Sequence, residues 1–273
     1  MSQAAPSNRK GRRPLVEVTI GGLAGIGGGL VGVGGGFLMV PLQVLWAGTS
    51  QRVATGTSLA AIVPIATAGA VVYAFGRGTP QLDYRSALLM MLGSSVGAAL
   101  GANLSRLASE RGLRMLFAVL LVLAAGKEVH DAVAGSATTL SSGGPGDLGP
   151  VGYALITLCG VGIGTLSGLV GVGGGVLIVP TLVFAFGIGQ RIAQGTSLLA
   201  TLPTALFGAL VHYRNGNVDL TSARQMALGG VPGVLVGAVL ALWLPERVLA
   251  GMFGILLAVL AVRLWPRRSV PEA

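Results

Sequence analysis

Two pairs of hydroxyl side chains occupy equivalent places in the two halves of this sequence. Thr57-Ser58 and Thr196-Ser197 each follow a glycine, a few residues into an apolar segment. Hydroxyl groups at such positions can donate hydrogen bonds to the oxygens of an anion. The alternative is that each hydroxyl bonds back to the backbone carbonyl four residues earlier and binds no ligand. The sequence leaves both alternatives open.

A run of three glycines precedes each hydroxyl pair. Glycine weakens a helix by about 1 kcal/mol relative to alanine, so each run predicts a break between two half-helices. Backbone N–H groups at the start of the second half-helix can hold an anion without a fixed charge. The alternative is close helix packing through small residues, which we favour for Gly21, Gly25 and Gly29. The predicted site glycines are Gly34, Gly35 and Gly36, with Gly173, Gly174 and Gly175 in the second half.

An arginine begins each segment that carries a hydroxyl pair. Arg52 and Arg191 stand five residues before Thr57 and Thr196. Each arginine can steer anions toward an entrance. The commoner role of such a residue is to extend its guanidinium group into the lipid head-group region. We therefore treat anion steering as the less favoured of the two hypotheses.

The composition requires lipid to cover much of the surface. Hydrophobic residues make up 52% of the 273 residues and charged residues only 10%, whereas a soluble domain has about a quarter of its residues charged. The net charge of +9 comes from cations at segment ends and in the tails, which argues against nucleic-acid binding. The acidic residues also lie in tails, loops or segment ends, and this favours an anionic over a cationic cargo. No pattern predicts a metal site or a cofactor.

The apolar segments are long enough to be membrane helices, since a span needs roughly 20 apolar residues. The first segment of each half exceeds this length and contains the triple glycine. Polar stretches separate the segments, and the longest of them is rich in Gly, Ser and Thr. The segments cover residues 15–46, 53–75, 85–105, 113–133, 148–186, 192–213, 223–244 and 246–265.

The two halves are copies of one module. The ten residues 32–41 match residues 171–180 at eight positions, and the segment 51–59 returns as 190–198 at the same offset. After a short indel, Asp83 pairs with Asp219. This register holds over most of each half and predicts two homologous helical repeats.

The paired GVGGG and GTSL segments, with an Asp before Gly-rich helices in each half, resemble the TauE/SafE family of sulfite and organosulfonate exporters. The resemblance covers nearly the whole chain. It implies a bacterial inner-membrane transporter of sulfite, sulfonates or related anions. The family gives the class of protein more firmly than the cargo.

We therefore predict an all-α polytopic membrane protein of two four-segment repeats, with about seven or eight transmembrane helices. If each broken helix crosses the membrane once, the repeats run parallel; if it folds back as a hairpin, they are inverted. We prefer inversion because it brings the two breaks together near the midplane. The predicted divisions are a basic tail 1–14, repeat 15–134, linker 135–147, repeat 148–265 and C-terminal tail 266–273.

The predicted function is secondary transport of a small inorganic or organosulfur anion by alternating access. The sequence contains no ATP-binding motif, so an ion gradient or the membrane potential is expected to drive it. An anion channel is the nearest alternative. An intramembrane hydrolase using Ser167 with His130 or His212 is disfavoured because nothing places either histidine near that serine. The expected partners are lipid and the anion, and a homodimer is left open.

Overall fold

The structure, a computed structural model, describes residues 14–76, 78, 80–104, 115, 119, 121–127, 130, 149–170 and 175–264. All regular secondary structure within these residues is helical, so the predicted all-α fold is confirmed. The predicted linker and C-terminal tail lie outside the described residues, as does the N-terminal tail up to residue 13.

The described helices follow the predicted segments closely, while most of the predicted segment 113–133 lies outside the described residues. The first segment is interrupted between Val31 and Gly36, as its triple glycine predicted. In the second half one described helix ends at Val170 and the next begins at Gly175, and the residues between them, Gly173 and Gly174 included, lie outside the described part of the chain. The described helices are α1 Pro14–Val31, α2 Gly36–Trp46, α3 Gln51–Phe75, α4 Tyr84–Leu104, α5 Gly149–Val170, α6 Gly175–Phe186, α7 Gln190–Arg214, α8 Leu220–Trp243 and α9 Glu246–Leu264.

The outer surface of the described helices is apolar. Five of these helices are long and apolar enough to cross a membrane, and α2 and α6 are shorter apolar helices. Large hydrophobic side chains point outward along them, including Leu228, Trp243 and Val262, which are 71–77% exposed. Water would make such a surface costly, so lipid covers it. The chain is a multi-pass membrane protein.

Each half packs its first helix against the fourth helix of the other half. Along α1, a Cβ atom on Gly21 or Gly25 would collide with the backbone of α8 at Met226 or Gly230. The same relationship joins α5 to α4, where a Cβ on Gly97 would collide with the Val161 carbonyl. The predicted role of the four-residue glycine spacing in close helix packing is thus confirmed. The two halves interlock rather than sit side by side.

The equivalent helices α3 and α7 run antiparallel. The first turns of α3 meet the end of α7, since a Cβ on Gly56 would lie 2.7 Å from the Cβ of His212. At the opposite end, a Cβ on Gly195 would lie 2.8 Å from the Cβ of Tyr73. These two helices of the two halves therefore point in opposite directions.

The broken first helix of the first half folds back on itself. The last turn of α1 lies beside the C-terminal end of α3, where the Tyr73 hydroxyl donates to the carbonyl of Gly29 at 2.9 Å. Five residues later the chain has returned to the middle of α3, because a Cβ on Gly34 would contact Ala66 at 3.8 Å. From there α2 runs antiparallel to α3, with Gln43 bonded to Ser58. Together α1 and α2 form a helical hairpin whose turn holds the glycines.

Candidate functional site

Glycine is needed in the turn of the hairpin because the backbone there is left-handed. Gly32, Gly34 and Gly35 have φ angles of +74°, +76° and +83°, which L-residues with a side chain adopt only with strain. Space is also restricted, since a Cβ on Gly35 would lie 2.5 Å from the carbonyl oxygen of Ala24. We call residues 32–36 the first break. Its geometry depends on glycine at these three positions.

The first break leaves backbone donors unused. The N–H groups of Leu38 and Met39 both donate to the carbonyl of Gly35, at 3.0 and 3.1 Å. Among the described residues, the N–H groups of the four preceding residues, Gly34 to Phe37, have no acceptor. All four residues are buried. Buried N–H groups without a partner are rare in proteins, and here they lie at the positive end of α2.

The first break meets the start of α6. A Cβ on Gly175, the first residue of α6, would lie 3.1 Å from the carbonyl oxygen of Val33 in the first break. It would lie equally close to the hydroxyl of Thr201, which stands at the middle of α7. The first break likewise lies against the middle of α3, where it meets the side chain of Ile62. The N-termini of α2 and α6 thus lie near the midpoints of α3 and α7, respectively.

The two predicted threonines bond across the two halves. The backbone N–H of Asp219 donates to the hydroxyl oxygen of Thr57 at 3.0 Å, and that of Asp83 to Thr196 at 2.9 Å. Both threonines are fully buried. Neither hydroxyl bonds back along its helix, whereas Thr201 does so at 2.8 Å. Each hydroxyl therefore retains its own hydrogen for a further acceptor.

The two predicted serines differ from each other. Ser58 bonds back to the carbonyl of Ala54 at 2.7 Å, which is the alternative without a ligand. Ser197 instead donates to the carbonyl of Gly175 at 3.3 Å and joins α7 to the start of α6. Ser197 is thus the serine that lies directly at a break.

The two arginines also have different surroundings. The guanidinium group of Arg191 donates to the carbonyl of Leu244 at 2.7 Å and lies 4.0 Å from the carboxylate of Glu246. It ties the start of α7 to the turn between α8 and α9. Arg52 is exposed in the first turn of α3. The geometry gives Arg191 a structural role, and anion steering by either arginine stays a prediction.

Two glutamines and a tyrosine near the breaks were missed in the sequence. Gln43 is 1% exposed and donates to the hydroxyl of Ser58 at 2.9 Å. Gln194 is fully buried, and its side-chain amide is hydrogen-bonded to the hydroxyl of Tyr73 at 3.1 Å. The sequence signal for the glutamines was an amide side chain within an apolar segment, because a buried amide needs hydrogen-bond partners.

The aspartates and the histidine singled out in the sequence have structural contacts. Asp83 accepts from the N–H groups of Arg85 and Ser86, and Asp219 caps α8 in the same way. Both aspartates therefore cap helices. The Cβ of His212 lies against Gly56, as expected of a packed histidine.

The described residues include no group of three or more His, Cys, Asp or Glu side chains placed to hold a metal. The side chain of Ser167 lies outside the described part of the chain. The site that the structure brings together therefore consists of backbone N–H groups, hydroxyls and amides. Such a site can bind an anion, and it contains no arrangement of a nucleophile with a base.

Comparisons with known proteins agree with this description. The family model described as sulfite exporter TauE/SafE matches residues 2–127 and 156–273. A "probable membrane transporter protein" of Xylella fastidiosa is 31% identical over 91% of this chain and 93% of its own length. The "probable membrane transporter protein YunE" of Bacillus subtilis is 27% identical over 82% of this chain and 84% of its own. No solved structure matches the chain.

Proposed function

The chain belongs to the sulfite exporter TauE/SafE family of membrane transporters, and from this premise we propose that it exports a small sulfur oxyanion such as sulfite or a sulfonate. The proposed location is the inner membrane of a bacterium, and the proposed mechanism is alternating access. The proposed binding site is the first break with its partner at Gly175, and Thr57 and Thr196, near opposite ends of α3, are proposed to close the paths that lead to it.

One observation carries the proposal. Four consecutive buried N–H groups, from Gly34 to Phe37, point to no acceptor among the described residues. Each unsatisfied buried donor costs about 1 to 3 kcal/mol, so an anion or water that accepts from them would be stabilising. Because they lie at the N-terminus of α2, an anion is the ligand that both the donors and the helix dipole favour.

The depth of the break supports transport rather than surface binding. Irregular backbone within a membrane is tolerated where protein or a water-filled cavity covers it. Discontinuous helices that meet at a repeat interface are the usual substrate site of secondary transporters. The contact between Gly175 and Val33 joins the first break to the start of α6 in the other half. We propose that the halves are inverted in the bilayer, and the antiparallel pairing of α3 with α7 supports this.

The two threonine contacts provide a structural basis for alternating access. The bond from Asp219 to Thr57 lies at the start of α3, and the bond from Asp83 to Thr196 lies at its other end. We call these contacts the two seals. Opening one seal while the other stays closed would connect the central site to one side of the membrane. A channel needs a continuous path, and the presence of both seals together favours a carrier.

Uptake into vesicles tests this proposal. The purified chain is reconstituted into vesicles loaded with unlabelled anion, and the entry of labelled sulfite or sulfoacetate is measured. The proposal predicts saturable uptake accelerated by anion on the other side. Unsaturable conductance would favour the channel, and no uptake of any sulfur oxyanion would remove the proposed function.

A further inference from the structure

His212 lies directly beside the bond from Asp219 to Thr57, which we call the first seal. A Cβ on Gly56, the residue before Thr57, would lie 2.7 Å from the Cβ of His212 and 3.1 Å from its Cγ. The carbonyl of His212 accepts at 2.8 Å from the N–H of Asn217, two residues before Asp219. His212 therefore contacts both of the segments that the first seal joins.

The imidazole ring of His212 has one nitrogen that is buried without a partner. Nδ1 has no hydrogen-bond partner among the described residues, although the residue as a whole is half-buried. A neutral imidazole tolerates this environment, because its hydrogen can sit on Nε2 and leave Nδ1 bare. A protonated imidazole carries a hydrogen on both nitrogens, and its Nδ1–H would be a costly buried donor without an acceptor. The closed first seal thus favours the neutral form.

The charges around His212 do not supply the missing acceptor. The first seal joins the starts of α3 and α8, so the positive ends of both helices lie here. The carbonyls of residues 211–213 already accept N–H groups of the turn 215–217. Within the described part of the chain, none of the other ionisable side chains at this end forms an ion pair or hydrogen bond with His212. These side chains are Glu17 of α1, Arg52 of α3, Tyr213 and Arg214 of α7, Asp219 before α8 and Arg224 within it.

The bond from Asp83 to Thr196, which we call the second seal, has a different residue at the equivalent position. The repeat equivalent of His212 is Tyr73, which packs on Gly195 as His212 packs on Gly56. The Tyr73 hydroxyl is satisfied, since it donates to a backbone carbonyl of α1 at 2.9 Å. A phenol keeps its hydrogen throughout the neutral range, whereas imidazole ordinarily titrates near about pH 6.5. Protonation can therefore distinguish the two seals.

We propose that His212 is a proton-binding site that controls the first seal, and that its protonation favours the state in which the bond between Asp219 and Thr57 is open. This inference rests on the proposed function, because it names what regulates one seal of the carrier. When the first seal opens, water can accept from Nδ1–H, so the proton binds more tightly to the open state. A ligand that binds one state more tightly shifts the population toward it. The open population of the first seal therefore rises as the pH falls through the histidine range, and that of the second seal does not.

Amide hydrogen exchange of the purified full chain, resolved to single residues, measures the opening of each seal. The N–H groups of Asp219 and Asp83 are hydrogen-bonded in the two seals and exchange when these bonds open. The ratio of the two exchange rates cancels the general effect of pH on exchange. We expect the Asp219 rate to rise about tenfold relative to the Asp83 rate between about pH 8 and about pH 5.5.

Three variants assign the effect to the imidazole of His212. His212→Tyr installs the side chain that the first half carries at the equivalent position, and it should abolish the pH dependence of the ratio. His212→Gln is a second variant without a titrating group, and it decides if the tyrosine variant fails to fold. His130→Gln replaces the other of the two histidines of the chain and is the control, which should behave as the wild type. A ratio that stays constant with pH in the wild type, or that still changes in folded His212→Gln, would overturn the inference.

Uptake into vesicles separates the inference from the function on which it rests. The probe is an alkanesulfonate, whose charge is constant over this pH range, at equal pH on both sides. If no sulfur oxyanion enters, the proposed function fails, whereas a change of the exchange ratio that requires His212 would still support the proton-binding site. If uptake is saturable but the exchange ratio stays constant with pH, the inference alone is overturned.

Discussion

The backbone N–H of Asp219 donates a hydrogen bond of 3.0 Å to the hydroxyl of Thr57, a residue of the other half of the chain. The equivalent bond, from Asp83 to Thr196, has almost the same length, 2.9 Å. The two bonds lie at opposite ends of the antiparallel pair α3 and α7. One such contact therefore closes each end of the helix pair.

Replacement of the threonines should weaken the seals. Thr57→Val or Thr196→Val leaves a backbone N–H without its acceptor, which costs about 1 to 3 kcal/mol of folding stability. The double variant should lose more stability than either single variant. Thermal unfolding measures the effect. Thr57→Ser keeps the hydroxyl and is the control; if it loses as much stability as Thr57→Val, the hydrogen bond is not the cause.

The close approach at each seal should tolerate only glycine. A Cβ on Gly56 would collide with the carbonyl of Asn217, and one on Gly195 with that of Gln81. We expect Gly56→Ala and Gly195→Ala to unfold at lower temperature and to transport slowly. Gly162→Ala, where a Cβ meets nothing within 4 Å, should keep wild-type stability and transport. Equal behaviour of all three variants would contradict the importance of this packing.

The aspartate before α8 should act as a helix cap rather than as a proton carrier. Asp219 accepts from the N–H groups of Thr221 and Ser222, a role that asparagine also fulfils. Asp219→Asn should therefore keep transport, while Asp219→Ala should lose about 1 kcal/mol of stability. Loss of transport in a stable Asp219→Asn variant would point to a titrating carboxylate instead.

Substitution of the two arginines should distinguish a structural role from anion steering. Arg191→Gln removes the bond to Leu244 and should lower the unfolding temperature, whereas the exposed Arg52 can be replaced by Gln without that effect. Steering is an electrostatic effect on the association rate that salt screens. Steering predicts that uptake slows equally in both variants at low salt and recovers relative to wild type at high salt. That result would support steering over the structural role.

The duplicated architecture was predictable because its signals are local. The triple glycines identified where the first helix breaks, since glycine alone tolerates the positive φ angles found at Gly34 and Gly35. The spacing of Gly21 and Gly25 likewise identified a helix-packing face, although the partner helix was not evident. Helix boundaries followed from the length of each apolar segment.

The polar contacts of the site were not predictable from the same signals. Tyr73 and Gln194 are 121 residues apart in sequence, and no periodicity links them. Ser58 and Ser197 occupy identical repeat positions, yet Ser58 bonds back to Ala54 and Ser197 bonds to Gly175. The difference comes from Gln43, which approaches Ser58 and has no amide counterpart in the second half: its repeat equivalent is Leu182.

The central claim is that the first break binds the anion. Gly35→Ala places a Cβ against the Ala24 carbonyl, while Gly48→Ala imposes a similar positive φ at a position with nothing within 4 Å. The decisive measurement is the rise in unfolding temperature with sulfur oxyanion concentration in the wild type and in both variants. We predict a rise in the wild type and in Gly48→Ala, and none in folded Gly35→Ala. An equal rise in Gly35→Ala, or no rise in the wild type with any sulfur oxyanion, would contradict the account.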